Sequence, residues 1–177
     1  DLIGRMSAIT RQLKSYARKG GDDLVPVDVR AALNGALEIM EPQLKLRQVS
    51  LSTSVPSTPV MIMGDQLRLE QVVVNLLRNA LDATSMIDMP EIELLLIGSE
   101  TATLTVRDNG EGISDLDDLF EPFFTTKKPG DGVGLGLAIS SGIVSDLGGR
   151  LVARNSEQSG AVFEVTLPII DNYNDED

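Results

Sequence analysis

Residues 70–83 read EQVVVNLLRNALDA. With Leu69 just before it, Val72, Val73, Leu76, Leu77 and Ala80 recur at the three-and-four spacing of one helical face. The pattern predicts an amphipathic helix that opens after Asp65, whose carboxylate can cap it, and runs to about Met86. Gln71, Asn75, Asn79 and Asp82 fall on a second stripe of the same helix. Asparagine suits a helix interior poorly, because its side chain competes for the backbone. Two asparagines one turn apart fit an oxygen ligand for Mg²⁺, an ion that also binds substrate phosphates. They also fit an ordinary solvated polar face.

Working outward, Leu24–Val27 reads as a short strand, and Asp28 can cap a helix of about residues 29–46 with Leu33, Leu37, Met40 and Leu44 on its core face. Val49–Val55 alternates as a strand, Pro56 and Pro59 mark a turn, and Val60–Met63 is a second short strand. Glu91–Gly98 and Ala102–Asp108 alternate around a turn at Ser99-Glu100-Thr101. Val133–Leu147 reads as a helix closed by Gly148-Gly149, and Arg150–Asn155 and Ala161–Leu167 as the last strands. The order is helix, strand pair, helix, strand pair, loop, helix, strand pair. It predicts an α+β fold: a two-layer α/β sandwich whose mostly antiparallel sheet carries three helices on one face.

The strand ending in Asp108 runs into Asn109-Gly110-Glu111-Gly112. A carboxylate fixed at a strand end can accept from an exocyclic amine such as that of adenine, and the two glycines let backbone approach a flat ring. A plain Asp-Asn-Gly hairpin is the alternative, yet Glu111–Asp131 does not read as a second strand. The loop 109–132 exceeds the roughly 12–15 residues beyond which loops are usually lids, binding loops or disordered. It carries Phe120, Phe123, Phe124, Thr126, Lys127 and Lys128, the lysines as point charges for a triphosphate or as ordinary surface lysines. It ends in Gly130-Asp131-Gly132-Val133-Gly134-Leu135-Gly136-Leu137, alternate glycines that bare backbone N–H groups at a helix start and so favour phosphate. No Gly-Lys-Ser/Thr follows, which excludes a P-loop. No strand precedes it, and Leu137 occupies the last glycine position of a dinucleotide fingerprint, which argues against a Rossmann site. Taken together the three motifs predict an ATP·Mg²⁺ site.

Composition narrows the partners. A net charge of −12 opposes binding to nucleic acid or to an anionic membrane surface. With no cysteine, disulfides and thiolate metal sites are excluded. Apolar residues make up 42% of the chain, enough for a core, while aromatics are only 3%. A core would normally claim Phe120, Phe123 and Phe124, so their loop is expected to pack against something mobile or external. Leu2, Met6, Ile9, Leu13 and Tyr16 form a heptad seam, which fits a helix stripped from a dimeric bundle or one packed on its own domain. Gly20-Gly21-Asp22-Asp23 reads as a linker, and the chain as part of something longer. There is no histidine.

The ordered set NLLRNA, DNGEGI, FEPFFTTK, GDGVGLGLAI and GGRL…GAVFEVTLP resembles the ATP-binding catalytic domain of bacterial sensor histidine kinases, in the superfamily shared with type II topoisomerases and with chaperone and mismatch-repair ATPases. The resemblance covers about residues 24–169. It implies domains at 1–21 (a remnant of the dimerisation and phosphoacceptor helix, with linker), 22–169 (the catalytic domain) and 170–177 (an acidic tail). It implies ATP and Mg²⁺ as cofactors, Asn79 as the metal ligand, and Asn75, Asn79 and Lys127 as the catalytic residues. Asp108 would bind the adenine amino group, with Gly110, Gly112 and Ile113 against the base. The nucleotide set is completed by Asp82, Phe120, Thr126, Lys127, Gly132, Val133, Gly134, Leu135, Gly136 and Leu137. SYARKG…PVDVRAAL resembles the nitrogen-regulation and dicarboxylate-transport sensors. The implied partners are the protein's own phosphoacceptor domain and a response-regulator receiver domain. The implied setting is a homodimeric inner-membrane sensor whose cytoplasmic part includes this chain. Two departures stand out: many relatives carry Lys or Arg where Asp82 stands, and Ala161 replaces a common Thr.

The implied reaction is γ-phosphoryl transfer from Mg·ATP to a histidine on another domain. A rival is an ATP hydrolase of the same fold. In those relatives a glutamate one turn before the metal asparagine activates water; Asn75 stands there and cannot act as a base. A docking module without nucleotide would require loss of the adenine carboxylate or the cradle glycines, and both are intact.

Overall fold

The computed structural model describes residues 24–124 and 134–170. The heptad seam, the linker and residues 171–177 of the acidic tail lie outside them, as do Thr126, Lys127, Lys128, Gly132 and Val133. The elements run β1 (Val25–Asp28), α1 (Val29–Leu46), β2 (Ser50–Ser54), β3 (Met61–Gly64), α2 (Gln66–Ala83), β4 (Glu91–Gly98), β5 (Thr101–Asp108), α3 (Gly136–Asp146), β6 (Arg150–Asn155) and β7 (Ala161–Pro168).

Both predicted caps form. Asp28 accepts from the Arg30 backbone N–H at the head of α1, and Asp65 accepts from Leu67 and Arg68 at the head of α2. The predicted stripe of α2 is buried throughout, from Leu69 to Ala80. Its core partners alternate along the sheet: Ile92, Leu94 and Leu96 on β4, Leu104 and Val106 on β5, Phe163, Val165 and Leu167 on β7. Residues between them, such as Glu93, Thr103, Thr105, Glu164 and Thr166, are not buried. The helices therefore cover one face, and each fully buried Leu or Val contributes about 1.5–3 kcal/mol. Among the described residues no helix is long and apolar enough to cross a membrane.

The main sheet has the order β2-β4-β5-β7-β6, antiparallel except for the parallel β2–β4 edge. β2 and β3, expected as a pair, do not pair with each other. β3 joins β1 in a separate two-stranded sheet. The prolines leave the link between them without a tight hairpin, and Val60 is pulled to the head of α1 instead. There its carbonyl accepts from Val29 N at 2.9 Å and its N–H donates to Asp28 Oδ1 at 3.2 Å.

Two helix ends also differ from the expected bounds. α2 stops at Ala83 rather than Met86: Thr84 N still bonds Ala80 O, but Ser85 N bonds Asp82 O and Ile87 N bonds Thr84 O, so the chain leaves the helix in tighter turns. α3 starts at Gly136 rather than Val133, because Gly134 sits at φ +68°, a left-handed conformation that no helix contains.

Candidate functional site

Asp108 closes β5 and is only 3% exposed. Its Oδ1 accepts from Gly110 N at 2.8 Å and from Ala161 N at 3.3 Å. Burial pushes this carboxyl above the ordinary aspartate range, while the two backbone N–H groups pull the other way. A buried acid held at a strand end by backbone alone is suited to meeting a donor from a ligand.

Asn109, next in the motif, works for the fold. Its side chain accepts from Glu91 N at 2.9 Å and donates to the Met89 carbonyl at 2.8 Å, pinning the 84–90 link against β5. Gly110 packs on the C-terminal end of α2: a Cβ there would stand 2.5 Å from the Ala83 carbonyl oxygen. This contact seats the Asp108 turn on the C-terminal end of the helix that carries the asparagines. Gly112 turns with φ +79°, and Ile113 follows, packed on the core.

On α2, Asn75, Asn79 and Asp82 are all half-buried. Asn75 Nδ2 donates to the hydroxyl of Ser140 at 3.0 Å. A Cβ on Gly136 would collide with Asn75 Oδ1, so a larger residue at the head of α3 would displace this amide. Leu135 buries its side chain and leaves its backbone at the mouth of the helix. Leu137 is partly buried against the core. Of the described glycines of this loop, Gly136 meets the asparagine helix at Asn75, while Gly134 packs on the backbone of Phe123 and Phe124.

The phenylalanine loop divides. Phe120 packs on the core, whereas Phe123 is 68% exposed and lies at φ +67°. Phe123 N donates to the Gly134 carbonyl at 2.9 Å, joining the two described flanks of the 125–133 segment.

Three contributors escaped the sequence reading. Ser140 is 1% exposed on α3 and looks like any small helical residue. Gly160, at φ +80°, lies so close to Asp108 that a Cβ would strike its backbone carbonyl. Asn155 Oδ1 accepts from Ile113 N at 2.7 Å and its Nδ2 donates to the Ile113 carbonyl at 2.9 Å. Only Gly160 carried a signal, a glycine after a polar turn run; the other two bonds span long sequence separations.

The family model for histidine kinase-, DNA gyrase B-, and HSP90-like ATPases matches residues 64–171, a span that includes every site residue described above. The chain belongs to this family. This ATPase-family chain is 40% identical over 172 residues to the C4-dicarboxylate transport sensor protein DctB of Pseudomonas aeruginosa, an alignment covering 94% of the chain and 28% of DctB. It therefore spans under a third of that relative's length. The catalytic domain of histidine kinase ThkA superposes with a TM-score of 0.73 at 24% identity, covering 83% of this chain and 98% of that one. Full-length ShkA in complex with AMPPNP gives a TM-score of 0.77 at 27% identity, over 93% of this chain and 36% of ShkA. The α+β sandwich with three helices is the fold of these catalytic domains, and the predicted resemblance to sensor histidine kinases is borne out.

Proposed function

We propose that this chain is the ATP-binding catalytic domain of a two-component sensor histidine kinase, the half that holds the phosphoryl donor. The observation that carries the reading is the buried Asp108, fixed at the end of β5 by a glycine turn that packs on the end of the helix bearing Asn75 and Asn79. Both hydrogen bonds described for Asp108 fall on Oδ1, which leaves Oδ2 to accept from the adenine amino group. Gly110 and Gly112 bring backbone close to the ring, and Ile113 and Phe120 supply apolar contact.

The polyphosphate then runs toward α2 and the head of α3. Asn75 lies beside it, and the backbone from Gly134 to Leu137 offers N–H groups and the positive end of a helix. Thr126, Lys127, Gly132 and Val133, which lie outside the described residues, join the nucleotide set by the family resemblance, with Lys127 as a phosphate contact. Mg²⁺ fits the donor set: Asn79 offers a neutral oxygen from a half-buried turn, and Mg²⁺ takes few protein ligands besides phosphate and water. When bound, the ion neutralises charge on the transferring group. Asp82 adds no such neutralisation, being an acid itself.

The reaction is attack of a histidine nitrogen on the γ-phosphorus with ADP leaving. The acceptor lies on the protein's own dimerisation domain, since this chain has no histidine. A receiver domain of a response regulator then takes the phosphoryl group. The full protein is a homodimeric sensor of the bacterial inner membrane with this domain on the cytoplasmic side. Asn75 is a neutral amide held by Ser140 and cannot deprotonate water, which sets hydrolysis below transfer.

Transfer from γ-labelled ATP to a separately supplied phosphoacceptor domain tests this reading. Label should pass to that domain only with Mg²⁺, and Asn79→Ala should abolish it. Release of inorganic phosphate without transfer, falling on mutation of Asn75, would favour the hydrolase instead.

A further inference from the structure

The loop after Asp108 belongs to no helix or strand, yet the backbone of Ile113 is paired as if it were in a sheet. Its partner is a side chain. The carboxamide of Asn155 copies a peptide group, with one acceptor and one donor in a plane. It accepts from Ile113 N at 2.7 Å and donates to Ile113 O at 2.9 Å across 42 positions of sequence. Both peptide groups flanking Ile113 are fixed by this one residue.

Asn155 is also the last residue of β6, and its backbone faces Ala161 across the β6–β7 pair. Ala161 N donates to Asp108 Oδ1 at 3.3 Å. One short hairpin therefore holds both sides of the base pocket, Asp108 through Ala161 and Ile113 through Asn155. Gly112 sits inside this circuit: a Cβ there would stand 2.9 Å from Asn155 Oδ1. The exposed position of Asn155 gives it little to do for the core.

We infer that Asn155 is a positioning residue for nucleotide binding: it sets where Ile113 stands relative to Asp108, and so how well adenine fits between them. The inference rests on the nucleotide reading above. It deepens that reading by assigning base recognition to the β6–β7 hairpin as well as to the Asp108 motif.

Asn155→Ala removes both bonds but leaves Asp108, the asparagines of α2 and the glycine loop in place. Titration calorimetry should show ATP bound roughly 5- to 30-fold more weakly than by wild type. In the transfer assay the KM for ATP should rise by a similar factor with kcat held, the pattern of lost ground-state binding. Amide exchange at Ile113 should quicken without a shift in the thermal midpoint. Should the alanine variant fold poorly, Asn155→Asp serves: it keeps the size and one acceptor but turns an oxygen toward the Ile113 carbonyl, and ATP should again weaken.

Wild-type affinity in either variant overturns the inference, as does a fall in kcat and midpoint together with KM unchanged. A wild-type chain that binds no ATP at all would instead sink the nucleotide reading itself.

Discussion

Asn75 Nδ2 donates to the buried hydroxyl of Ser140 across 3.0 Å, tying the helix that carries the asparagines to the helix that opens at the glycine loop. The two helices, the walls of the proposed phosphate region, are tied by this bond and by the contact of Gly136 with the same amide. Ser140→Ala keeps the volume and loses the bond. It should cost about 0.5–1.5 kcal/mol, read as a lower urea midpoint. An unchanged midpoint would mean that the two helices are held by packing alone.

The buried carboxyl of Asp108 makes stability depend on pH in a definite direction. Its folded pKa lies above the ordinary value of 3.8, so the native state holds the proton more tightly than the unfolded chain. The stability that protonation confers is fully present below the ordinary value and is lost as pH rises through the raised one. Asp108→Asn retains an oxygen acceptor and cannot ionise. It should be more stable than wild type at neutral pH, and the gap should close as pH falls below the ordinary aspartate value. Parallel unfolding curves across that range would contradict the burial argument. ATP affinity of the wild type should drop over the same acid range, as the acceptor becomes a neutral acid.

Gly160 has φ +80°, and a Cβ there would press on the Asp108 carbonyl and lie 2.7 Å from Asp108 Oδ1. Gly160→Ala therefore meets left-handed strain of roughly 1–2 kcal/mol, with a steric push on the site acid besides. Thermal unfolding should show the loss, and ATP binding should weaken with it. A variant as stable as wild type would show that the hairpin relaxes freely.

Periodicity made most of the fold readable. The α2 stripe, the caps at Asp28 and Asp65 and the alternation of β4, β5 and β7 are local patterns, and each appears where its pattern lies. Partnership between β2 and β3 was misread, because the prolines read as a hairpin turn while the pull of Val29 on Val60 acts through space. The extra turn forecast for α2 failed because the backbone after Thr84 closes tighter turns, Ser85 N to Asp82 O and Ile87 N to Thr84 O, which helical spacing does not encode. In the site, Asp108, Gly110, Gly112, Gly134 and Gly136 announced themselves through glycine spacing. Ser140 and Asn155 did not, since a serine in a helix and an asparagine at a strand end have no special local pattern; their roles come from residues 65 and 42 positions away.

The proposed grip on the purine is Asp108. Calorimetric titration of ATP in Mg²⁺ buffer on wild type and Asp108→Ala tests this directly. Loss of a charge-assisted bond of ~1.5–3 kcal/mol should weaken ATP by roughly 10- to 150-fold. Equal affinity in the two proteins would contradict it.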